Sequence, residues 1–451
     1  MTQKDLTVGK ESRTFLFFAA PFVLAHLLQA FYNAADMLIV GAYGQDLGLS
    51  AVTLGGTVFL FLIQFLNGFA MGGAVLIAQY RGAKRDEEER HTSATLFSLL
   101  AGLSLILSAA AFFLRQPILT LLHTPSEVMP DAGRYLVVAL PGTLFIMGYN
   151  TVCAVLRGTG DAGRPLVFTA IATVLNLGLD FLCIGVLRWG AAGAAAAAVA
   201  AQTLSFFFAV WMLRRSAAAV RFSRAHFRIH KDKIIPIVKI GLPIALQGAV
   251  NTLSYLVLAR LINQLGGVAA SAVSGICARL NGFSVLSNVA VSSAVAAMAG
   301  QNIGAQKPDR ARRVFVTGLW AALSFSGLLC LLVNLFPETL LGLFHAQEDA
   351  IAIGIPYLRA VSFDYLTNAV LFSANGLLNG AGYSHLTFLH TVLAGLVFRI
   401  PLAYLFAHVF SLGFAGVGWA LPAATLPPMI LSLFFVTRGI WKKPRIVKYT
   451  D

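Results

Sequence analysis

Three carboxylates stand where water is scarce. Of nineteen Asp and Glu residues in the 451-residue sequence, Asp36, Asp180 and Asp364 fall well inside long apolar runs. Asp36 lies in AFYNAADMLIVGAYG, where Gln29, Asn33 and Asp36 follow at i, i+4 and i+7 and so share one helical face. A similar stripe runs through TAIATVLNLGLD, with Thr169, Thr173, Asn176 and Asp180 at i, i+4, i+7 and i+11. A carboxylate at bilayer depth costs roughly 2.5 to 3.5 kcal/mol even on the lenient insertion scale, so it faces a cavity or a partner. Two such acids with amide and hydroxyl oxygens nearby can share a proton, because like charges in low dielectric resist joint ionisation. They can also hold a small cation with hard oxygen ligands. The plainer reading is a hydrogen-bonded pair that fastens two helices together.

A doubled chain must position these residues. Residues 21 to 202 reappear weakly, in order, about 222 positions later: Pro21 answers to Pro243, QYRGAK from Gln79 to QNIGAQ from Gln301, and LRGTG from Leu156 to LNGAG from Leu378. Tyr135-Leu136 matches Tyr357-Leu358, and Gly190 and Gly193 match Gly413 and Gly416. Apolar residues make up 58% of the chain and charged residues 12%, too few charges to cover a water-soluble protein of this size. Twelve apolar runs, from 14–40 to 414–437, each reach the roughly 20 residues needed to cross a bilayer as a helix. The expected fold is an all-α integral membrane protein of twelve transmembrane helices in two parallel six-helix repeats, since an even repeat re-enters from the same side. The expected divisions are an N-terminal lobe at 1–213, a basic linker at 214–233, a C-terminal lobe at 234–438 and a basic tail at 439–451.

The formal net charge of +14 encodes topology. Basic residues crowd alternate loops: Arg81, Lys84, Arg85 and Arg90 after span two, seven between Arg214 and Lys233, and Lys307, Arg310, Arg312 and Arg313 after span eight. The opposite loops are poor in them, which places the basic loops and both termini in the cytoplasm and argues against nucleic acid as a partner. No cleavable signal peptide is expected, because the first apolar run is too long. Cys153, Cys183, Cys277 and Cys330 stand singly inside spans, so no disulfide, metal site or cofactor is expected.

The second half departs from the first. Asn251 and Tyr255 answer to Gln29 and Asn33, the apolar Leu258 answers to Asp36, and Phe398 and Leu402 answer to Asn176 and Asp180. Span ten offers Asp364, Asn368, Asn375 and Asn379 on one face, with Arg260, Arg279 and Arg399 in neighbouring spans. Asp364 either binds a cationic ligand or balances an arginine such as Arg399, and the residues leave both open. Arg260, near a span end, is expected to snorkel to the interface. Tyr32 and Tyr149, with Gln29, Asn251, Tyr255, Asp364, Asn368 and Arg399, are candidates for lining a substrate cavity.

With NAADMLIVGAYG, AQYRGAK, LRGTGDAGRPL, the pattern Asn176-x-x-x-Asp180 and the duplicated halves, the chain resembles the multidrug and toxic compound extrusion (MATE) transporters over nearly its whole length. The resemblance implies a V-shaped pair of six-helix lobes in the bacterial cytoplasmic membrane. It implies expulsion of amphipathic, often cationic compounds by alternating access in exchange for protons or sodium ions. It carries the family's first-lobe cation site onto Asp36, Asn176 and Asp180, with Asn33 and Thr173 beside them on the same stripes. Two departures matter. A threonine that joins this site in some members is matched by Ala198, which favours protons over sodium. The acids that NorM-type members add in spans seven and ten are matched by Asn251 and Asn368, so coupling is expected through the first lobe. Two lobes in one chain suffice for alternating access, so a monomer is expected. The rival reading is a flippase for a lipid-linked saccharide precursor, its arginines holding a pyrophosphate. A channel lacks its selectivity loop or charge ring. An enzyme is not expected, for want of a nucleophile elbow or phosphate loop.

Overall fold

A computed structural model describes residues 5–43, 48–215, 229–342, 348–443, 445 and 447, with the side chains of Asn33, Ala34, Met37, Leu49, Arg215, Val268, Ala269, Glu348 and Asp349 outside the described set. Every regular element among these residues is a helix. The first half contains α1 (Glu11–Tyr43), α2 (Gly48–Gly82), α3 (Asp86–Phe113), the short α4 (Arg115–Leu121), α5 (Met129–Gly158), α6 (Gly163–Asp180) and α7 (Gly190–Arg215). The second contains α8 (Lys231–Gly304), α9 (Pro308–Leu335), the short α10 (Pro337–Gly342), α11 (Glu348–Gly380), α12 (Ser384–Val392), α13 (Ile400–Tyr404) and α14 (Gly413–Arg438).

Two of these labels need reading against the membrane. The backbone of α8 breaks at Gly267, with φ 54° and ψ −140°, so Lys231–Gly267 and Ala270–Gly304 are two crossings. Conversely, α12 and α13 join through π-helical turns at Leu393–Arg399 and Leu405–Val409 into one crossing, Ser384–Val409. Eleven helices among the described residues are long and apolar enough to cross a membrane. The remaining crossing of the sequence reading is α11, a 33-residue helix whose hydropathy is diluted by Asp364, Asn368, Asn375 and Asn379. The expected all-α, multi-span fold is what the chain adopts.

The duplication reappears as repeated backbone geometry. Lys84 and Gln306, closing QYRGAK and QNIGAQ, both take left-handed backbone at φ 56° and 57°. The amide after each returns to the preceding helix, Arg85 N to Tyr80 O at 3.0 Å and Lys307 N to Asn302 O at 2.8 Å. Gly160 and Gly382, at φ 89° and 87°, turn the chain after LRGTG and LNGAG, where a side chain would be strained. In the first copy the turn also aims α6. Asp161 Oδ1 accepts the backbone N–H groups of Gly163 and Arg164, each at 3.1 Å, and its Oδ2 pairs with Arg164 at 3.2 Å. These bonds satisfy orphan donors at the helix start and fix the direction in which Asn176 and Asp180 follow.

Packing divides the chain into two compact units, one containing Ala20–Ala245 and the other Leu6–Ala19 with Leu246–Asp451. These units differ from the repeats counted along the sequence by an exchange of two helix ends. Within the first unit, α2 and the start of α8 approach backbone to backbone. A Cβ on Gly72 would stand 2.7 Å from Gly241 N, and one on Gly68 would stand 2.4 Å from Ala245 N. In the second unit Gly376 and Gly380 of α11 lie against the carbonyls of Ser292 and Ala296, where a Cβ would meet each oxygen at 2.6 Å. Such contacts are how helices associate in lipid, where apolar burial between helices supplies no drive and close van der Waals packing must.

Candidate functional site

In the first unit the two polar stripes come together. Helix α6 buries Asn176 and Asp180 one turn apart, and Asn176 Nδ2 donates to Asp180 Oδ2 at 2.9 Å. Asp36 on α1 brings its carboxyl close enough to Asp180 to interact directly. Oδ1 of Asp180 is buried and has no hydrogen-bond partner among the described residues. Tyr32, one turn before Asp36, and Tyr135 on α5 are near enough to feel both carboxyls. Directly after Asp180 the helix widens into a π turn at Phe181–Val186, a local departure from α geometry that often accompanies functional sites.

The chemistry follows from this arrangement. Two carboxylates side by side and away from water repel each other, and a proton shared between them or a cation bound across both removes the repulsion. The Asn176 amide occupies one oxygen of Asp180, and the other has no donor among the described residues. Thr173 is buried on the same face of α6, one turn before Asn176. Among the described residues no group of three or more His, Cys, Asp or Glu side chains is placed to hold a metal ion.

Other sequence candidates in this unit lie apart from the pair. Gln29 is exposed on α1. Tyr149 is buried in a core cluster with Val152, Cys153, Leu156 and Phe168, and its hydroxyl meets Thr169 Oγ1 at 3.0 Å. Thr169 precedes Asp180 by three turns, about 16 Å along the helix at 1.5 Å per residue. Asn33 falls outside the described side chains.

In the sequence Tyr135 is only a landmark of the duplication. Its ring packs on Gly55, where a Cβ would stand 2.9 Å from the ring, and its hydroxyl lies over Gly56. The signal that could have found it is the pair of adjacent glycines on α2, which clears space for one large ring.

In the second unit the candidates separate into distinct environments. Asp364 is buried and accepts hydrogen bonds from Thr367 Oγ1 at 3.1 Å and Thr425 Oγ1 at 2.8 Å. No ion pair among the described residues joins it to Arg399. Hydroxyls, rather than an arginine, hold this acid. Arg399 is buried under Tyr255 and touches Ser254. Asn251 and Tyr255 are exposed on α8, as are Arg260 and Arg279, and Asn368 is half-buried. Asn375 Oδ1 lies 2.8 Å from His390 Nδ1, while Thr387 Oγ1 bridges Gln247 Nε2 at 3.0 Å and Asn379 Oδ1 at 2.9 Å. Sequence reading missed this network because its members come from three helices, α8, α11 and α12, that only packing brings together.

Comparison with known proteins adds a second line of observation. The family model described as MatE matches residues 21–182 and 243–405. The probable multidrug resistance protein YpnP of Bacillus subtilis (strain 168) is 31% identical over 449 residues, covering 99% of each chain. The probable multidrug resistance protein NorM of Thermotoga maritima is 26% identical, covering 95% of this chain and 93% of that protein. Among solved structures, an outward-facing conformation of a multidrug resistance MATE family transporter of the MOP superfamily superposes with a TM-score of 0.91 at 21% identity. It covers 97% of this chain and 98% of its own.

Proposed function

Since this chain belongs to the MATE family of membrane transporters, we propose that it is a secondary antiporter in which Asp36 and Asp180 form the coupling site for export of amphipathic, often cationic compounds. The observation that carries this reading is the meeting of the two acids from α1 and α6, with Oδ1 of Asp180 lacking a hydrogen-bond partner among the described residues. The chain is a multi-pass membrane protein and not an enzyme. Nothing in its likenesses speaks for the flippase reading. The name of the Bacillus subtilis relative, a probable multidrug resistance protein, supports drug-like cargo.

The coupling ion we favour is the proton. Ala198 offers no hydroxyl where some members of the family have a threonine, and a proton needs no coordination shell, whereas sodium must replace its lost waters with protein oxygens. In the cycle we propose, the ionised pair attracts a cation from outside. Once the pair is neutralised, the penalty for keeping it from water falls, and α1 repacks against α6 around Asp36. The same neutralisation weakens the hold on a cationic drug, which leaves as the proton enters. Thr173 and Tyr32 flank the pair on its two helices, and Asn33 is included from its place on the α1 stripe of the sequence alone. We take both termini as cytoplasmic, a reading that the excess of Lys and Arg in alternate loops supports. We assign the lobes to 1–213 and 234–438, joined by 214–233 and followed by the tail 439–451, and take the monomer as the working unit.

The test is efflux of a fluorescent lipophilic cation from proteoliposomes under an imposed proton or sodium gradient, in wild type and Asp36→Asn. Transport driven by the proton gradient and lost in the variant is the expected result. Transport driven by sodium alone overturns the proton assignment. A variant that pumps like wild type removes Asp36 from the coupling site.

A further inference from the structure

Where the first unit gathers two acids, the second gathers a cation. Ser254 and Tyr255 on α8 stand where the duplication places Tyr32 and Asn33 on α1, and Leu258 stands for Asp36. Arg399 lies just under one turn before Leu402, the position that answers to Asp180. It closes the π turn Leu393–Arg399, as Asp180 precedes the π turn Phe181–Val186. The two copies thus bring corresponding helices together around groups of opposite charge.

The surroundings of Arg399 are unusual for a guanidinium. The residue is 5% exposed. Its Nη1 reaches Ser254 Oγ at 3.4 Å, but that hydroxyl donates to the Gly395 carbonyl at 2.7 Å and is neutral. The guanidinium carbon sits 4.7 Å from the centre of the Tyr255 ring. Among the described residues Nε is buried without a hydrogen-bond partner and no ion pair involves this arginine. Asp364, the buried acid of α11, is engaged by Thr367 and Thr425 instead.

An arginine does not lose its proton in a protein, so this charge cannot be relieved by titration. A hydroxyl at long range and one aromatic face compensate it only in part. The group that completes such a site is a planar anion able to take Nε and a neighbouring Nη together, which is the geometry of a carboxylate. A phosphate dianion calls for more than one cation, and Arg260 and Arg279 are exposed to other surroundings. Tyr255 is 46% exposed, and Asn251, one turn earlier, is exposed too, so a ligand can reach the guanidinium past the edge of the ring.

We propose that Arg399, with Ser254 and Tyr255, is the binding site for the carboxylate of an amphipathic ligand. This rests on the export reading above and deepens it by naming the residue of the second unit that tells a ligand with a carboxylate from one without.

A matched pair of dyes tests it: a zwitterionic rhodamine with a free carboxylate, and its methyl ester, which is a pure cation on the same frame. Binding is followed by fluorescence polarisation on the purified full chain in detergent. Wild type is expected to bind the acid about tenfold more tightly than Arg399→Gln does, a charge-assisted hydrogen bond being at stake. The ester should bind both alike, and Arg399→Lys should fall between them for the acid. Equal loss of acid and ester in Arg399→Gln, or no loss of the acid, overturns the proposal. Should Arg399→Gln fail to fold, the acid-to-ester ratio in wild type and Arg399→Lys decides, and a ratio unchanged between those two sinks it. If the ester is exported under a gradient while acid binding ignores Arg399, this inference alone fails. If neither dye binds or moves, the export reading falls with it.

Discussion

Replacing Asp180 by Asn separates coupling from architecture. The fully buried carboxylate is held at Oδ2 by Asn176 Nδ2 at 2.9 Å, while its Oδ1 lacks a partner among the described residues. An asparagine at 180 retains an oxygen for the Asn176 amide, so it loses only the charge assistance of that bond, about 1 kcal/mol. Against this, it removes a carboxylate whose burial costs roughly 2.5 to 3.5 kcal/mol on the insertion scale, and with it the repulsion from Asp36. The balance favours the variant by about 2 kcal/mol, a rise in Tm of a few degrees at about 2–4 °C per kcal/mol. Its transport should move in the opposite direction. A coupling free energy of about 1–3 kcal/mol corresponds to roughly 5- to 150-fold, so accumulation against a gradient should fall by up to about two orders of magnitude. Thermal unfolding in detergent and gradient-driven dye transport in proteoliposomes read the two effects separately. A variant that is clearly less stable than wild type would show that the acid fastens helices together. One that is stable and still pumps would refute its part in coupling.

Three further perturbations probe how the site is held. Asp161→Ala strips two backbone N–H groups at the start of α6 of their acceptor and leaves Arg164 buried without its acid, with an expected loss of about 3 kcal/mol seen as a lowered Tm. Asp161→Asn, which keeps an acceptor, should recover part of it. Gly72→Leu has no room beside Gly241 and should abolish monodisperse protein on size-exclusion chromatography, whereas Gly133→Ala, which meets nothing within 4 Å, should leave the elution profile unchanged. Tyr135→Phe keeps the ring that fills the space over Gly55 but deletes the hydroxyl near Asp36 and Asp180. Transport should slow several-fold at unchanged Tm, and an unchanged rate would make Tyr135 a packing residue only.

Much of this protein is legible in one dimension because the bilayer is an unforgiving solvent. Apolar runs longer than a membrane is thick must be helices, since no water inside satisfies a free backbone group, and every buried acid stands out against them. Asp36, Asn176 and Asp180 stand out in this way as candidates, from the periods of two stripes, and the repeated turns at Lys84 and Gln306 follow from the duplication. The partners of those residues were not legible. That hydroxyls of Thr367 and Thr425 hold Asp364, that Tyr135 fills a gap made by Gly55 and Gly56, and that Arg399 lies under Tyr255 with no acid among the described residues paired to it all depend on how helices distant in sequence rotate against one another. That rotation is set by where small residues let backbones touch and where a π turn shifts the helical phase, as after Asp180 and before Ile400. Helical periodicity assigns a residue to a face, but the neighbour on that face is chosen only when the helices pack.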